Sequence, residues 1–159
     1  MESVTKIENS AFWGCVNLKT IRGYAGSYAE SYAKEYGYTF EDVEGKITTS
    51  YRTHVQSFGW QNPVTNGAMS GTSGEAKRLE AIQIKLYGEM ANHFDVYYRV
   101  HAQSYGWLGW AKNGEESGTA GLAKRLEGIQ IVLIPKGGAA PANNYKNIQS
   151  VNTKAYIKK

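Results

Sequence analysis

The stretch "YRTHVQSFGW" at residues 51–60 returns as "YRVHAQSYGW" at residues 98–107, with no insertion or deletion between the copies. Its reading decides the fold. With the residues just before it, the second copy reads "FDVYYRVHAQSY". Phe94, Val96, Tyr98, Val100 and Ala102 share one parity, and Arg99, His101, Gln103 and Tyr105 the other. A period of two predicts a half-buried strand with one apolar and one polar face. In the first copy Ile47, Tyr51 and Val55 take the apolar side, and Arg52, His54 and Gln56 the polar side.

The echo extends well past the strand. Residues 51–86 laid over 98–133 are identical at 22 of 36 positions. A second matching group is Asn-Gly-x-x-Ser-Gly-Thr-x-Gly, at 66–74 and 113–121. A third is Ala-Lys-Arg-Leu-Glu-x-Ile-Gln-Ile-x-Leu, at 76–86 and 123–133. "RLEAIQIKL" predicts another strand, with Ile82, Ile84 and Leu86 on one face. Asn66-Gly67 and Asn113-Gly114 predict tight turns. The fold class is therefore mainly β, an antiparallel module of two duplicated repeats. A sandwich, a β-prism and a trefoil-like assembly all satisfy this pattern.

One detail conflicts with strict alternation. Arg78 and Glu80 would share the face of Ile82 and Ile84, as Arg125 and Glu127 would in the second copy. A charge on a core face is costly unless paired and hydrogen-bonded. Either a bulge flips the register near Ala81, or Glu80 turns inward to hold turn N–H groups. A structural role is favoured over a ligand-binding Arg/Glu pair, because the Gly-Ser-Thr loop has many amides needing acceptors.

Residues 1–44 follow a different pattern. Val4, Ile7, Phe12, Cys15, Leu18 and Ile21 recur at intervals of three to five. This spacing suits one coil of a leucine-rich solenoid, with Cys15 as a buried ladder residue. "GYAGSYAESYAKEYGYTF" predicts an amphipathic helix capped by Ser27, with Tyr28, Ala29, Tyr32, Ala33 and Tyr36 on one face and Gly37 as its stop. Glu41, Asp42 and Glu44 read as a solvated linker.

Composition narrows the function. Aromatic residues make up 13% of the 159, and twelve are Tyr. Tyr suits half-exposed surfaces and interfaces. A net charge of +4 without any Lys/Arg run argues against nucleic acid. The single Cys15 excludes an internal disulfide and a cysteine-rich metal site. No apolar run is long enough for a membrane helix. The start "MESVTKIENS" lacks the apolar core of a signal peptide, and its beginning in mid-pattern suggests a fragment whose leader is not included.

"AFWGCVNLKTI" followed by "GYAGSYAESYAKEYGYTF" resembles the last repeat and end-cap of BspA-type leucine-rich repeat surface proteins. Gly-Trp, Gly-Thr-x-Gly and Arg-x-Glu-x-Ile, each present twice, resemble the clostridial hydrophobic-W (ChW) repeat. The endings "IQIVLIPKGGAAP" and "TKAYI" are similar to the close of such modules. The resemblance implies a tandem module over 45–159, with repeats at about 47–88 and 94–138 and a tail at 139–159. It also implies a secreted or cell-surface protein of Firmicutes, with a role in glycan binding or adhesion.

No catalytic chemistry is legible. His54 and His101 are repeat-equivalent, and duplicated catalytic centres are unusual. His93 lies between the repeats and reads as a linker residue. No metal-ligand spacing occurs, and "GTSG" and "GTAG" lack the Lys and helix of a phosphate loop. Neither enzyme activity nor a cofactor is expected. Binding is. A sugar stacks its C–H face on an aromatic ring while polar side chains read its hydroxyls. Trp60, Trp107 and Trp110 supply rings, and Arg52, His54, Gln56, Arg99, His101, Gln103 and Asn113 supply polar groups. Trp60 and Trp107 also read as core plugs. Trp110 has Pro63 as its counterpart and follows a glycine, so it is expected to be exposed and to complete a site in the second copy alone. The expected partner is a glycan, of a host or of the bacterial cell wall. The alternatives are a host glycoprotein or immunoglobulin bound by an adhesin, and attachment to the bacterium's own wall.

Overall fold

A computed structural model describes residues 6–23, 27–42 and 48–159. The chain divides into two compact units, residues 1–46 and 47–159.

In the first unit, β1 (Thr20–Gly23) pairs in parallel with β2 (Thr39–Asp42) across helix α1 (Tyr28–Glu35). The Ser27 side chain accepts from the Glu30 N–H and caps the helix; Gly37, at φ +75°, ends it. Tyr32 and Ala33 are buried with Ile21, and Ile7, Phe12 and Phe40 pack around them. Cys15 is exposed rather than buried. Short turns carry the chain from Glu8 to Leu18, bringing Phe12 inward and leaving Cys15, Trp13 and Val16 outside. Glu41 stands in β2, 2.6 Å from Arg22, and not in a linker. Val4, Glu44 and Ile47, and the side chain of Asp42, lie outside the described residues.

The second unit is built on two long hairpins. In the first repeat, β3 (Thr49–Val55) pairs with β4 (Gly59–Trp60), β5 (Val64–Thr65) and β6 (Leu79–Leu86). Helix α2 (Gly88–His93) follows, and its His93 faces Glu89 at 3.3 Å. In the second repeat, β7 (Phe94–Ala102) pairs with β8 (Gly106–Trp107), β9 (Ala111–Lys112) and β11 (Leu126–Pro135). Both Asn-Gly pairs have positive φ at both residues, as a two-residue hairpin turn demands.

The repeats are not separate modules. Strand β10 (Ser117–Ala120) leaves its own repeat and pairs antiparallel with β6 of the first. Strand β12 (Tyr156–Lys158) then adds in parallel outside it. The result is a six-stranded sheet ordered β12-β10-β6-β3-β4, with β5 also on β3, beside a four-stranded sheet of β7, β8, β9 and β11. Ile84 and Leu86 pack against Val96, Tyr98 and Ala111, so the core is shared. Burial pushes the Tyr98 hydroxyl up to about 12.

The conflict at Glu80 resolves as a bulge. His54 faces Ala81 and Val55 faces Leu79, so Glu80 is the extra residue; Glu127 is skipped in the same way between Leu126 and Gly128. The buried Glu80 carboxylate is met by Arg78 at 2.8 Å and by His54 at 3.1 Å, rather than by turn amides.

Candidate functional site

Each repeat builds the same cluster at the strand crossing. In the first, the Arg52 guanidinium lies 5.0 Å from the Trp60 ring centre, and His54 meets that ring edge-on at 5.5 Å. His54, Glu80 and Arg78 continue the chain of contacts. In the second, Arg99 lies 5.4 Å from Trp107, and His101 meets Trp107 edge-on at 5.6 Å. His101 Nδ1 is 3.2 Å from Glu127, which holds Arg125 at 2.7 Å. Alternation accounts for this: β3 and β7 point Arg and His to one side, and the short strands β4 and β8 bring back the tryptophans opposite the histidines.

A glutamine completes each cluster. Arg52 Nε donates to Gln83 Oε1 at 2.5 Å, and Arg99 Nε to Gln130 Oε1 at 2.7 Å. Neither Gln83 nor Gln130 stood out in the sequence reading. The available signal was a polar residue recurring inside an otherwise apolar "IQI" strand.

The two clusters differ in what surrounds them. The polar side of β7 was expected to face a solvent-open site, but Arg99 is fully buried. Residues 142–151 of the tail wrap its guanidinium. Nη1 donates to the Asn143 carbonyl at 2.8 Å and to Ser150 Oγ at 2.6 Å. Nη2 donates to the carbonyls of Ile148 at 2.7 Å and Tyr145 at 3.4 Å. With Gln130 this gives every N–H of the fork an acceptor. Lys146 and Asn147 have φ of 55° and 60°, which turns the loop so that its carbonyls converge. Burial lowers the Arg99 pKa from its ordinary value.

Trp110 belongs to this enclosure. It is half-buried rather than exposed, with Arg99 at 4.5 Å over its face, Tyr145 edge-on, and its Nε1 donating to the Ala142 carbonyl at 3.2 Å. A glycine before a tryptophan signalled close approach here, not freedom: a Cβ at Gly109 would fall 2.2 Å from the Thr153 carbonyl.

In the first repeat Pro63 stands at the place of Trp110, and among the described residues no loop wraps Arg52. Among the described residues no acceptor meets the two Nη atoms of Arg52. Arg52 lines a hollow of about 160 Å³ with Ser50, Tyr51, Pro63, Gln83, Lys85 and Tyr87.

The remaining candidates act locally. Asn113 accepts from the Val96 N–H at 2.9 Å and donates to Asp95 at 2.8 Å, holding the β7–β9 turn. The backbone N–H groups of Gln56 and Gln103 donate to the carbonyls of Arg78 and Arg125 and close the turns after β3 and β7. Asp95 is buried and gathers Asn113, Lys112, Lys136 and the Gly137 N–H, which together hold its carboxyl well below the usual range. Among the described residues no group of three or more His, Cys, Asp or Glu is placed to hold a metal ion, and no helix is long and apolar enough to cross a membrane.

No curated protein and no solved structure matches the chain. The family model described as clostridial hydrophobic W matches residues 54–88 and 101–135. Each match begins at the histidine of a cluster and runs to the end of its second long strand or just past it. Repeats of this family are typical of extracellular bacterial proteins and occur often in surface proteins. The chain carries two repeats of the clostridial hydrophobic W family, joined through a shared core.

Proposed function

We propose that this chain is a non-catalytic binding module of a bacterial surface or secreted protein, and that its first repeat binds an extended protein segment at Arg52. One observation carries the reading. In the second repeat the matching arginine is enclosed by a peptide loop offering carbonyls and a serine hydroxyl. In the first repeat the same Arg and Gln line an open hollow. A ligand there would give acceptors to the Arg52 fork and lie against Pro63 and Tyr87.

A side chain already lies over one face of each candidate tryptophan, which supports a protein segment over a glycan as the ligand. Arg52 covers one face of Trp60, Arg99 lies over Trp107 and Trp110, and Trp110 is further held by Ala142 and Tyr145. The unit at residues 1–46 fits the end of a leucine-rich solenoid that would present the module on such a protein.

The test uses a synthetic peptide of residues 142–151 as first probe, followed by host-protein peptide arrays and a glycan array. Wild type should retain the peptide or an array member, and Arg52→Ala should lose that binding at least tenfold, about 1.4 kcal/mol. Binding confined to the glycan array, or peptide binding indifferent to Arg52→Ala, would reject the protein reading.

A further inference from the structure

The two matching arginines sit on strand faces that differ in charge. In the second repeat Arg99 lies opposite Gln130, and Tyr97 lies opposite Val132 on the same face of β7 and β11. In the first repeat Arg52 lies opposite Gln83, but the second pair is Ser50 and Lys85. The apolar pair beside the enclosed arginine is thus replaced, beside the open one, by a hydroxyl and a second cation. Arg52 and Lys85 are diagonal neighbours across the strands, a spacing that long side chains span.

Lys85 is exposed, and its amine stands 5.2 Å from the centre of the Tyr87 ring. It lines the same hollow as Arg52. Among the described residues no carboxylate lines that hollow, and neither Lys85 nor the Arg52 fork pairs with one. Glu89 and Glu115, which follow the lining residues Tyr87 and Gly114 in the chain, are engaged elsewhere. Glu89 faces His93 at 3.3 Å, and Glu115 accepts from the Lys112 N–H at 2.9 Å. Two like charges facing one hollow repel each other, and an anion between them relieves that repulsion.

We propose that the segment bound by the first repeat is acidic, and that one of its Asp or Glu side chains sits between Arg52 and Lys85. This rests on the reading of Arg52 as the anchor of an extended protein segment. Neutral acceptors suffice in the second repeat, where the loop meets Arg99 with carbonyls and a hydroxyl and Val132 stands in place of Lys85. In the first repeat Gln83 takes only the Nε donor of Arg52. The two Nη atoms are left to hold a carboxylate through paired N–H bonds, with Lys85 as a point charge beside it.

Fluorescence anisotropy with labelled peptides tests this. The probes are the peptide of residues 142–151 and two scans of it, one placing Glu at each position in turn and the other Gln. Wild type should hold at least one Glu peptide about fivefold or more tighter than its Gln twin. The preference should shrink between about 50 mM and about 500 mM salt. It should vanish in Lys85→Val, which copies the second repeat at an exposed position, with thermal melts to check that the variant is folded. No preference for Glu at any position, or a preference that survives Lys85→Val, would overturn the proposal. Peptide binding that Arg52→Ala abolishes but that ignores Glu overturns it and leaves the protein-segment reading standing, whereas no peptide held through Arg52 ends both. A heparin oligosaccharide held through Arg52 and Lys85 where no acidic peptide binds would overturn it in favour of an anionic carbohydrate.

Discussion

Arg99 and Arg52 occupy matching positions in opposite surroundings. Arg99 has each of its five donors met inside the protein, so Arg99→Lys keeps the charge but strands carbonyls shaped for a planar fork. Charge-assisted hydrogen bonds contribute about 1.5–3 kcal/mol each, so the variant should lose about 2–4 kcal/mol in urea unfolding. Arg52→Lys, beside its open hollow, should stay within about 1 kcal/mol. Asp95 adds a pH signature. Its folded pKa is depressed, so its contribution is present above the unfolded value of about 4 and is lost as pH falls toward the folded one. Asp95→Asn should therefore destabilise the protein at pH 7, with the gap to wild type narrowing steadily in thermal melts below about pH 4. The recurrence of Arg, His and Trp was legible because repetition is. The burial of Arg99 was not, since the loop that buries it has no counterpart in the repeat and no period of its own. Cys15 was misread for a related reason: spacing of three to five fits both a ladder and a run of tight turns.

Strand position followed from period-two alternation, and the turns from Asn-Gly. Strand partnership did not follow. The strings "SGTS" and "SGTA" are nearly identical, yet only the second becomes a strand, because only it has β6 on one side and β12 on the other. Gly118→Ala and Gly71→Ala separate these effects. Both residues hold positive φ, so each substitution stores about 1–3 kcal/mol of backbone strain. Only Gly118 also faces a carbonyl, at 2.4 Å from a built Cβ, while Gly71 meets a movable Leu79 methyl at 3.2 Å. In urea unfolding, Gly118→Ala should lower the midpoint clearly more than Gly71→Ala. Equal losses would mean that β10 contributes little to joining the repeats. The bulges at Glu80 and Glu127 show what the alternation did contain: the charged residue on the wrong parity marked the place where the register breaks.

At the scale of the molecule, two repeats that read as a tandem pair fold as one unit. Ile84 and Leu86 of the first are covered by the second, and the first sheet takes two of its strands from after residue 112. A fragment of residues 47–93 should therefore lack the dispersed amide spectrum of a folded domain, whereas 47–159 should show one. The shared core could be foreseen from the apolar faces, but the strand exchange could not, because matching repeats give no sign of which copy a strand serves. The exchange also sets an order in time. A sheet that opens at Thr49 is finished only by Tyr156–Lys158, so it cannot be complete until those residues are made. On a ribosome, β3 and β6 emerge well before β10 and β12, and β6 must wait with one edge bare. That interval is when this protein is most exposed to mispairing with its neighbours.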